Sequence, residues 1–506
     1  MKRLLSTLLV VLLAGNLLVA CAGTTPAAPT VTSTVATPVP TTAATPTVAV
    51  PTLPSGDRWL THLNDDLLPF WTMPAALGDP LGAFPATRCD DGSLVDQKHP
   101  CQEVKDNNWV MSNEYYVVTT SRQIYGYGIA FQLTGNPTYL QYMKAGVDFF
   151  RGNFLDRANG GAYSYFDGKQ WGPDAAYRNT QELAYSMVGL SFYYYLTNDP
   201  EVLPDILAVK DYIFKNYYNA DQDMINWMLK STDQVKFDDK YLVAQLDQMN
   251  AYMVLLTPLL PEPAKSEWKK DLVHLSHIIM NQFYSPDDNI CFLNANKPQD
   301  KDLMVTAVDF GHTIKAMWMI RWTGLLAGDD ELVQFAETNG IQVLERAYLS
   351  QLGTWAGGLK IGGDLNDAID WWVYDELDQF TATLALSDPS LAAYLPQTYD
   401  YYFRHFIDPQ YGGVWTTVNA TTQKPEGGMP KAWPWKSAYH SFEHALVGYI
   451  TSQQLESSPV TLYYAFVAPP APADIHPYFF SAEQETTETT TDQGITVYKI
   501  TFTGVH

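Results

Sequence analysis

Two histidines stand where a helix begins, His312 in "VDFGHTIKAMWMIRW" and His440 in "WPWKSAYHSFEHAL". Imidazole is the side chain best placed to take or give a proton near neutral pH. Each histidine opens an apolar run at helical spacing, so each belongs to the entry of a helix. If the two helices converge on one cavity, one imidazole lies on each side of a substrate carbon, an arrangement suited to proton abstraction and return. A lone histidine at a helix entry more often caps or packs. The case therefore rests on the elements that would bring these two together.

Those elements read as helices in pairs. "SRQIYGYGIAFQLTG" (121–135) has apolar residues at helical spacing and stops at Gly135, and Asn136-Pro137 opens the next helix. Further pairs follow near 177–217, 241–283, 312–348 and 371–405, with a last helix near 437–452 and a first near 57–72. The connections resemble one another: "FLDRANGGAYSYFDGK", "YNADQDMINWMLK", "YSPDDNICFLNAN" and "FIDPQYGGVWTTVN" each place Asp, Asn or Gly before a short alternating stretch. "LSQLGTWAGGLKIGG" fills the remaining interval. They recur every ~55–70 residues, the scale of repeated supersecondary units. About twelve helices in six hairpins predict an all-α, closed (α/α)6 barrel with short β-turn connections, in preference to an open solenoid. Both histidines then lie at the same end of the inner helices.

The ends of the chain differ from this pattern. "MKRLLSTLLVVLLAGNLLVAC" has a basic start and an apolar run too short for a membrane span. It closes on Leu-Val-Ala-Cys, which resembles a bacterial lipobox. That resemblance implies cleavage before Cys21, lipidation of its thiol and an extracytoplasmic, membrane-anchored protein. An ordinary secretory signal is the alternative. Residues 21–56 are rich in Thr, Pro and Ala and read as a tether. The expected divisions are thus a signal at 1–20, a tether at 21–56, the barrel at 57–455 and a tail at 456–506. The tail alternates like strands in "PVTLYYAF" and "ITVYKITFTGV", around an acidic Thr-rich stretch. It fits either a small β appendage or an unstructured end.

Composition narrows the function. The chain is 46% hydrophobic and 13% aromatic, enough for a large core and for rings that line sugar sites. A net charge of −24 argues against nucleic acid or an anionic membrane surface as partner, leaving the lipid anchor as the expected membrane contact. Cys89 and Cys101 bracket a polar loop and are expected to form a disulfide in an oxidising compartment, with Cys291 left over. No CxxC pair or HExxH motif supports a metal site, and no cofactor is expected.

Several stretches resemble, in order, the N-acylglucosamine 2-epimerase / cellobiose 2-epimerase / mannose isomerase family over roughly residues 57–452. "SRQIYGYGIAFQLTGNPTYLQ" resembles its opening hairpin, with Arg122 at the position of a substrate-site arginine. "GHTIKAMW", "DWWVYDE" and "WKSAYHSFEHA" resemble its Gly-His-x-x-Glu, Trp-Trp-x-x-x-Glu and Trp-Lys-x-x-Tyr-His-x-x-Arg-Ala stretches. The resemblance implies chemistry at C2 of a reducing mono- or oligosaccharide. One histidine removes the proton beside the carbonyl of the open-chain sugar, and the other returns a proton to C2 or C1. His312 and His440 would be that pair, Arg122 an oxyanion or hydroxyl ligand, and Trp372 and Trp435 platforms for the sugar, with Glu376 in the same site.

This chain departs from the family pattern at charged positions. Lys315 stands where the family has Glu, and Glu443 where it has Arg. A spacing of three keeps each on the histidine's face. The reversal predicts a Lys315–Glu443 ion pair across the cavity. It also predicts a neutral His312 beside Lys315, suited to a base, and a cationic His440 beside Glu443, suited to an acid. "AQLDQMNAYMVLL" lacks the family's histidine, and Tyr374 takes the place of a glutamine. Two other readings stay open: a non-catalytic carbohydrate-binding lipoprotein on the same barrel, and a glycoside hydrolase or polysaccharide lyase drawing on Asp375, Glu376 and Glu443.

Overall fold

In a computed structural model of the chain, two kinds of helix alternate along the sequence, and their burial patterns say why. Val117–Thr134 is buried at every residue from Val117 to Leu133, whereas Pro137–Asn153 is buried only at 137, 140, 143, 146, 147 and 150. The first is walled on all sides and the second shows one apolar stripe, so they become the inner and outer members of a hairpin. The structure describes residues 52–105, 115–233, 235–237, 239–295, 309–360, 363–492 and 494–506. The signal, Cys21 and most of the tether lie outside these.

The inner helices are Val117–Thr134, Thr180–Tyr185 continued by Val188–Thr197, Leu242–Gln248 continued through a π-helical turn to Val254–Leu256, Phe310–Ala327, Trp371–Ala385 and Tyr439–Leu455. Neighbours in the chain are neighbours in space, and the last packs on the first. The ring is therefore closed, as the six-hairpin count predicts. The first helical segment, Gly56–Thr61, joins outside the last inner helix, where Trp59 Nε1 donates to Ser452 Oγ at 3.0 Å. Gly448 makes room for this seam: a Cβ there would lie 2.4 Å from the Trp59 ring.

The connections repeat as geometry. After successive outer helices a tight β-turn element pairs Leu155 with Ala162, Tyr218 with Ile225, Tyr284 with Cys291, Tyr348 with Trp355 and Ile407 with Val414. Each partner is seven residues from the other, so the same turn is used five times to send the chain back to an inner-helix entry. The Asp at the start of two of these turns is clamped by a buried cation. Arg178 Nη2 lies 2.6 Å from Asp156, and Lys431 Nζ 2.5 Å from Asp408.

The loop predicted to carry a disulfide does so, Cys89 joined to Cys101. Beside it, Arg88 bridges Ala432, and Lys431 N donates to Asp90 Oδ1 at 2.7 Å. The loop therefore braces the segment leading to His440. The tail resolves in favour of the β appendage: Val460–Tyr464, Glu483–Asp492 and Ile495–Thr503 form an antiparallel sheet with Ile495–Thr503 at its centre. Residues 53–506, barrel and appendage together, form one unit. Among the described residues no helix is long and apolar enough to cross a membrane.

Candidate active site

The two histidines do come to the same mouth of the ring. His312 enters from Phe310–Ala327, whose N-cap is Asp309, and His440 from Tyr439–Leu455. Both rings flank Trp372, with centroids 4.6 Å away for His312 and 6.0 Å for His440. His312 is one-fifth exposed and His440 only 4%, so one stands at the rim and the other beneath it.

Each imidazole is backed by a carboxylate at Nδ1. Asp309 Oδ2 stands 2.8 Å from Nδ1 of His312, and Asp309 Oδ1 accepts the His312 backbone N–H at 2.7 Å. Glu376 Oε1 faces Nδ1 of His440 at 3.6 Å. In both rings this leaves Nε2 as the nitrogen available to a substrate. Asp309 escaped the sequence reading, although an aspartate three residues before the helix's third residue is an N-cap signal.

Lys315 makes a different ion pair from the one predicted. Its Nζ lies 3.2 Å from Glu376 Oε1 and 3.4 Å from Tyr185 Oη, with both charged partners of the pair buried. Glu443 instead takes hydroxyls: Tyr478 Oη donates to its Oε1, and Tyr125 Oη lies 3.2 Å from the same oxygen. The reason is ring order. Trp371–Ala385 stands between the helices of Lys315 and Glu443, so Glu376 reaches the ammonium directly.

The electrostatics correct a second expectation. His440 is not held as a cation: burial, then the charges of Lys315 and Arg122, pull its pKa well below 6.5. Burial also works against Lys315, but Glu376, Tyr185 and Asp247 together outweigh it and keep the ammonium charged. Glu376 is raised by burial, with Lys315 pulling the other way. Burial and the neighbouring Glu376 push Glu443 up to about 7. The pair of carboxyls beside His440 therefore holds a proton near neutrality.

Arg122 reaches the site as a fixed cation. Its Nη1 donates to Trp435 O at 2.6 Å, and its guanidinium lies 4.0 Å from the centroid of the Tyr185 ring and 5.7 Å from that of Trp435. Trp372 and Trp435 are both partly exposed, as sugar platforms must be. Lys436 is anchored behind them, donating to Val414 O at 2.6 Å with its Nζ 4.4 Å from the Trp371 ring centroid.

Two sequence candidates point elsewhere. Tyr374 donates to Thr398 O at 2.8 Å and packs on Tyr402 and Phe406 of the outer layer, so it is structural. Asp375 lies 3.2 Å from His444 Nδ1 in a fully buried cluster with Asp378. The carboxylate pair left to a hydrolase, Glu376 and Glu443, has oxygens within 4.8 Å of each other, and Glu376 is already paired with Lys315. Glu376, His440 and Glu443 have metal-ligand donor types, but the Lys315 ammonium already supplies the positive charge at Glu376.

A sequence model of the N-acylglucosamine 2-epimerase (GlcNAc 2-epimerase) family matches residues 103–444. This chain belongs to the N-acylglucosamine 2-epimerase family. The cellobiose 2-epimerase of Ruminococcus albus is 25% identical over 342 residues, covering 64% of this chain and 85% of that protein. The cellobiose 2-epimerase of Eubacterium cellulosolvens is 20% identical, covering 62% and 78%. Among solved structures, cellobiose 2-epimerase from Spirochaeta thermophila superimposes with a TM-score of 0.65 at 19% identity, covering 79% of this chain and 97% of that one. A D-mannose isomerase gives 0.64 at 15% identity, covering 80% and 100%. These likenesses carry the (α/α)6 barrel fold. The N-acylglucosamine 2-epimerase family match ends at His444, before the residues of the appendage.

Proposed function

We propose that this chain is a carbohydrate isomerase that epimerises a reducing sugar at C2, or interconverts aldose and ketose, by proton transfer between two histidines. The observation that carries the reading is the pair itself: His312 and His440 beside one tryptophan, each with a carboxylate behind Nδ1. Membership of the N-acylglucosamine 2-epimerase family, with cellobiose 2-epimerases among its relatives, supports a reducing mono- or oligosaccharide as substrate.

The steps follow from the geometry. Asp309 accepts the Nδ1 proton of His312, leaving an Nε2 lone pair at the rim to take the C2 proton of the open-chain sugar. The resulting enediolate is anionic, and Arg122 and Lys315 provide fixed positive charge for it. His440 then gives its Nε2 proton to the other face of C2 for epimerisation, or to C1 for isomerisation. Trp372 and Trp435 hold the apolar face of the sugar. The basic, apolar and Leu-Val-Ala-Cys segments of residues 1–21 support a lipid anchor at Cys21 and an extracytoplasmic site of action.

The test is solvent deuterium incorporation. The full-length protein is incubated in D2O with glucose, mannose, N-acetylglucosamine and cellobiose, and each sugar is followed by NMR. Deuterium should appear at C2, or at C1 of a ketose, and disappear in His312→Ala and His440→Ala. Folded protein that exchanges none of these sugars, yet binds one, would replace this reading with carbohydrate capture.

A further inference from the structure

The appendage reaches into the barrel. Between its first two strands, residues 476–480 ("HPYFF") enter the end of the ring away from the histidine mouth. Phe479 packs against Trp318, at the middle of Phe310–Ala327, and Phe480 against Trp322 one turn further on. Tyr478 is 1% exposed and adopts a left-handed backbone, φ 62°, which is rare for a bulky residue. The turn is held in place by Tyr195, whose hydroxyl donates to His476 O at 2.8 Å and accepts the Tyr478 backbone N–H at 2.7 Å. So strained a conformation directs one group inward. The Tyr478 hydroxyl meets Glu443 Oε1, and Tyr125 Oη lies 2.8 Å from it.

We propose that Tyr478 is a positioning residue of the proton-transfer site: with Tyr125 it holds the Glu443 carboxyl as the proton source that recharges His440. The inference rests on the epimerase reading. A neutral His440 has one N–H to give. As Nε2–H breaks and the new C–H bond forms, Nδ1 takes a proton from the carboxyl pair facing it, Glu376 at 3.6 Å with Glu443 next to it. Glu443 is left as a carboxylate that two phenols stabilise. Between turnovers solvent protonates Nε2 of His440 as Nδ1 returns its proton to the carboxyl pair, and His312 releases to solvent the proton it took from the sugar. The groups facing Glu443 are Glu376, Lys315, His440, Tyr439, Tyr125 and Tyr478. Glu376 favours its protonated form, and the ammonium and the phenols favour the carboxylate.

The sign of the test follows. Removing the Tyr478 hydroxyl takes a donor from the carboxylate, so the Glu443 midpoint should rise by about one pH unit, a tenfold change in proton affinity. The carboxyl stretch of Glu443, assigned by its loss in Glu443→Gln, is titrated by infrared difference spectroscopy on the full-length chain without sugar. Tyr478→Phe should move the midpoint up. 3-Fluorotyrosine at position 478, a stronger donor of the same shape, should move it down. The alkaline limb of sugar deuterium exchange should follow in both cases. A midpoint indifferent to both replacements overturns the proposal, and so does a midpoint that moves while the exchange limb stays fixed. If the band moves as expected but the unaltered protein exchanges no sugar, the epimerase reading fails and only the Tyr478–Glu443 link survives.

Discussion

Asp309 is bound twice to His312, once through the backbone N–H at 2.7 Å and once at Nδ1 of the ring at 2.8 Å. One carboxylate therefore starts the helix and fixes which ring nitrogen faces the cavity. The two roles separate on substitution. Asn caps as well as Asp, but its amide cannot stabilise the imidazolium that forms when His312 takes a proton. Asp309→Asn should leave the melting temperature almost unchanged and slow sugar deuterium exchange by about 100-fold or more.

Lys315 and Glu376 form a buried pair, so removing one partner strands the other. Lys315→Met should cost about 3–5 kcal/mol in urea unfolding, and Lys315→Met with Glu376→Gln should recover most of it. The same cycle between Lys315 and Glu443 should give a much smaller coupling. Equal couplings would show that the ammonium belongs to both carboxyls.

Asp156 gives an acid-stability prediction. Burial alone would raise its pKa, but Arg178, with the Asn159 side chain and backbone N–H, holds it at about 2. A depressed carboxyl contributes stability above its unfolded value near pH 4, lost as pH falls toward about 2, in total about 2 kcal/mol. Asp156→Asn should therefore be less stable than the parent at pH 7. The gap should close as denaturation is repeated at progressively lower pH.

The ring seam offers a packing test. A Cβ at Gly448 meets the Trp59 ring at 2.4 Å, and that ring is fully buried. Gly448→Ala should cost about 1–3 kcal/mol, measured by thermal or urea unfolding, and Gly448→Ala with Trp59→Phe should recover part of it. If Gly448→Ala is as stable as the parent, the seam closes in some other way.

The barrel was legible because its signals are local and repeated. Inner helices are apolar on every side, outer helices on one, and the turn joining them recurs with the same seven-residue pairing. The histidine mouth was legible for a related reason, since both residues sit at the same place in their repeats. The partner of Lys315 was not. Spacing of three along a helix tells which residues share a face, but not which of two opposed carboxylates lies closer. That depended on the helix of Glu376 standing between the other two. The charge state of His440 went the other way for a different reason: a neighbouring Glu443 favours a cation in water, but burial and the charges of Lys315 and Arg122 reverse it. Tyr478 carried no signal at all, because a tyrosine in a strand-like tail looks like any other until the tail is seen inside the ring.

The position of "HPYFF" also sets an order of events. Among the described residues Tyr478 follows all six inner helices, so a nascent polypeptide completes them before the residue that meets Glu443 has been made. Until that turn docks, Glu443 has Tyr125 from the barrel but lacks the hydroxyl of Tyr478. The barrel thus has its fold before Glu443 has its last partner, which arrives only with the final sheet.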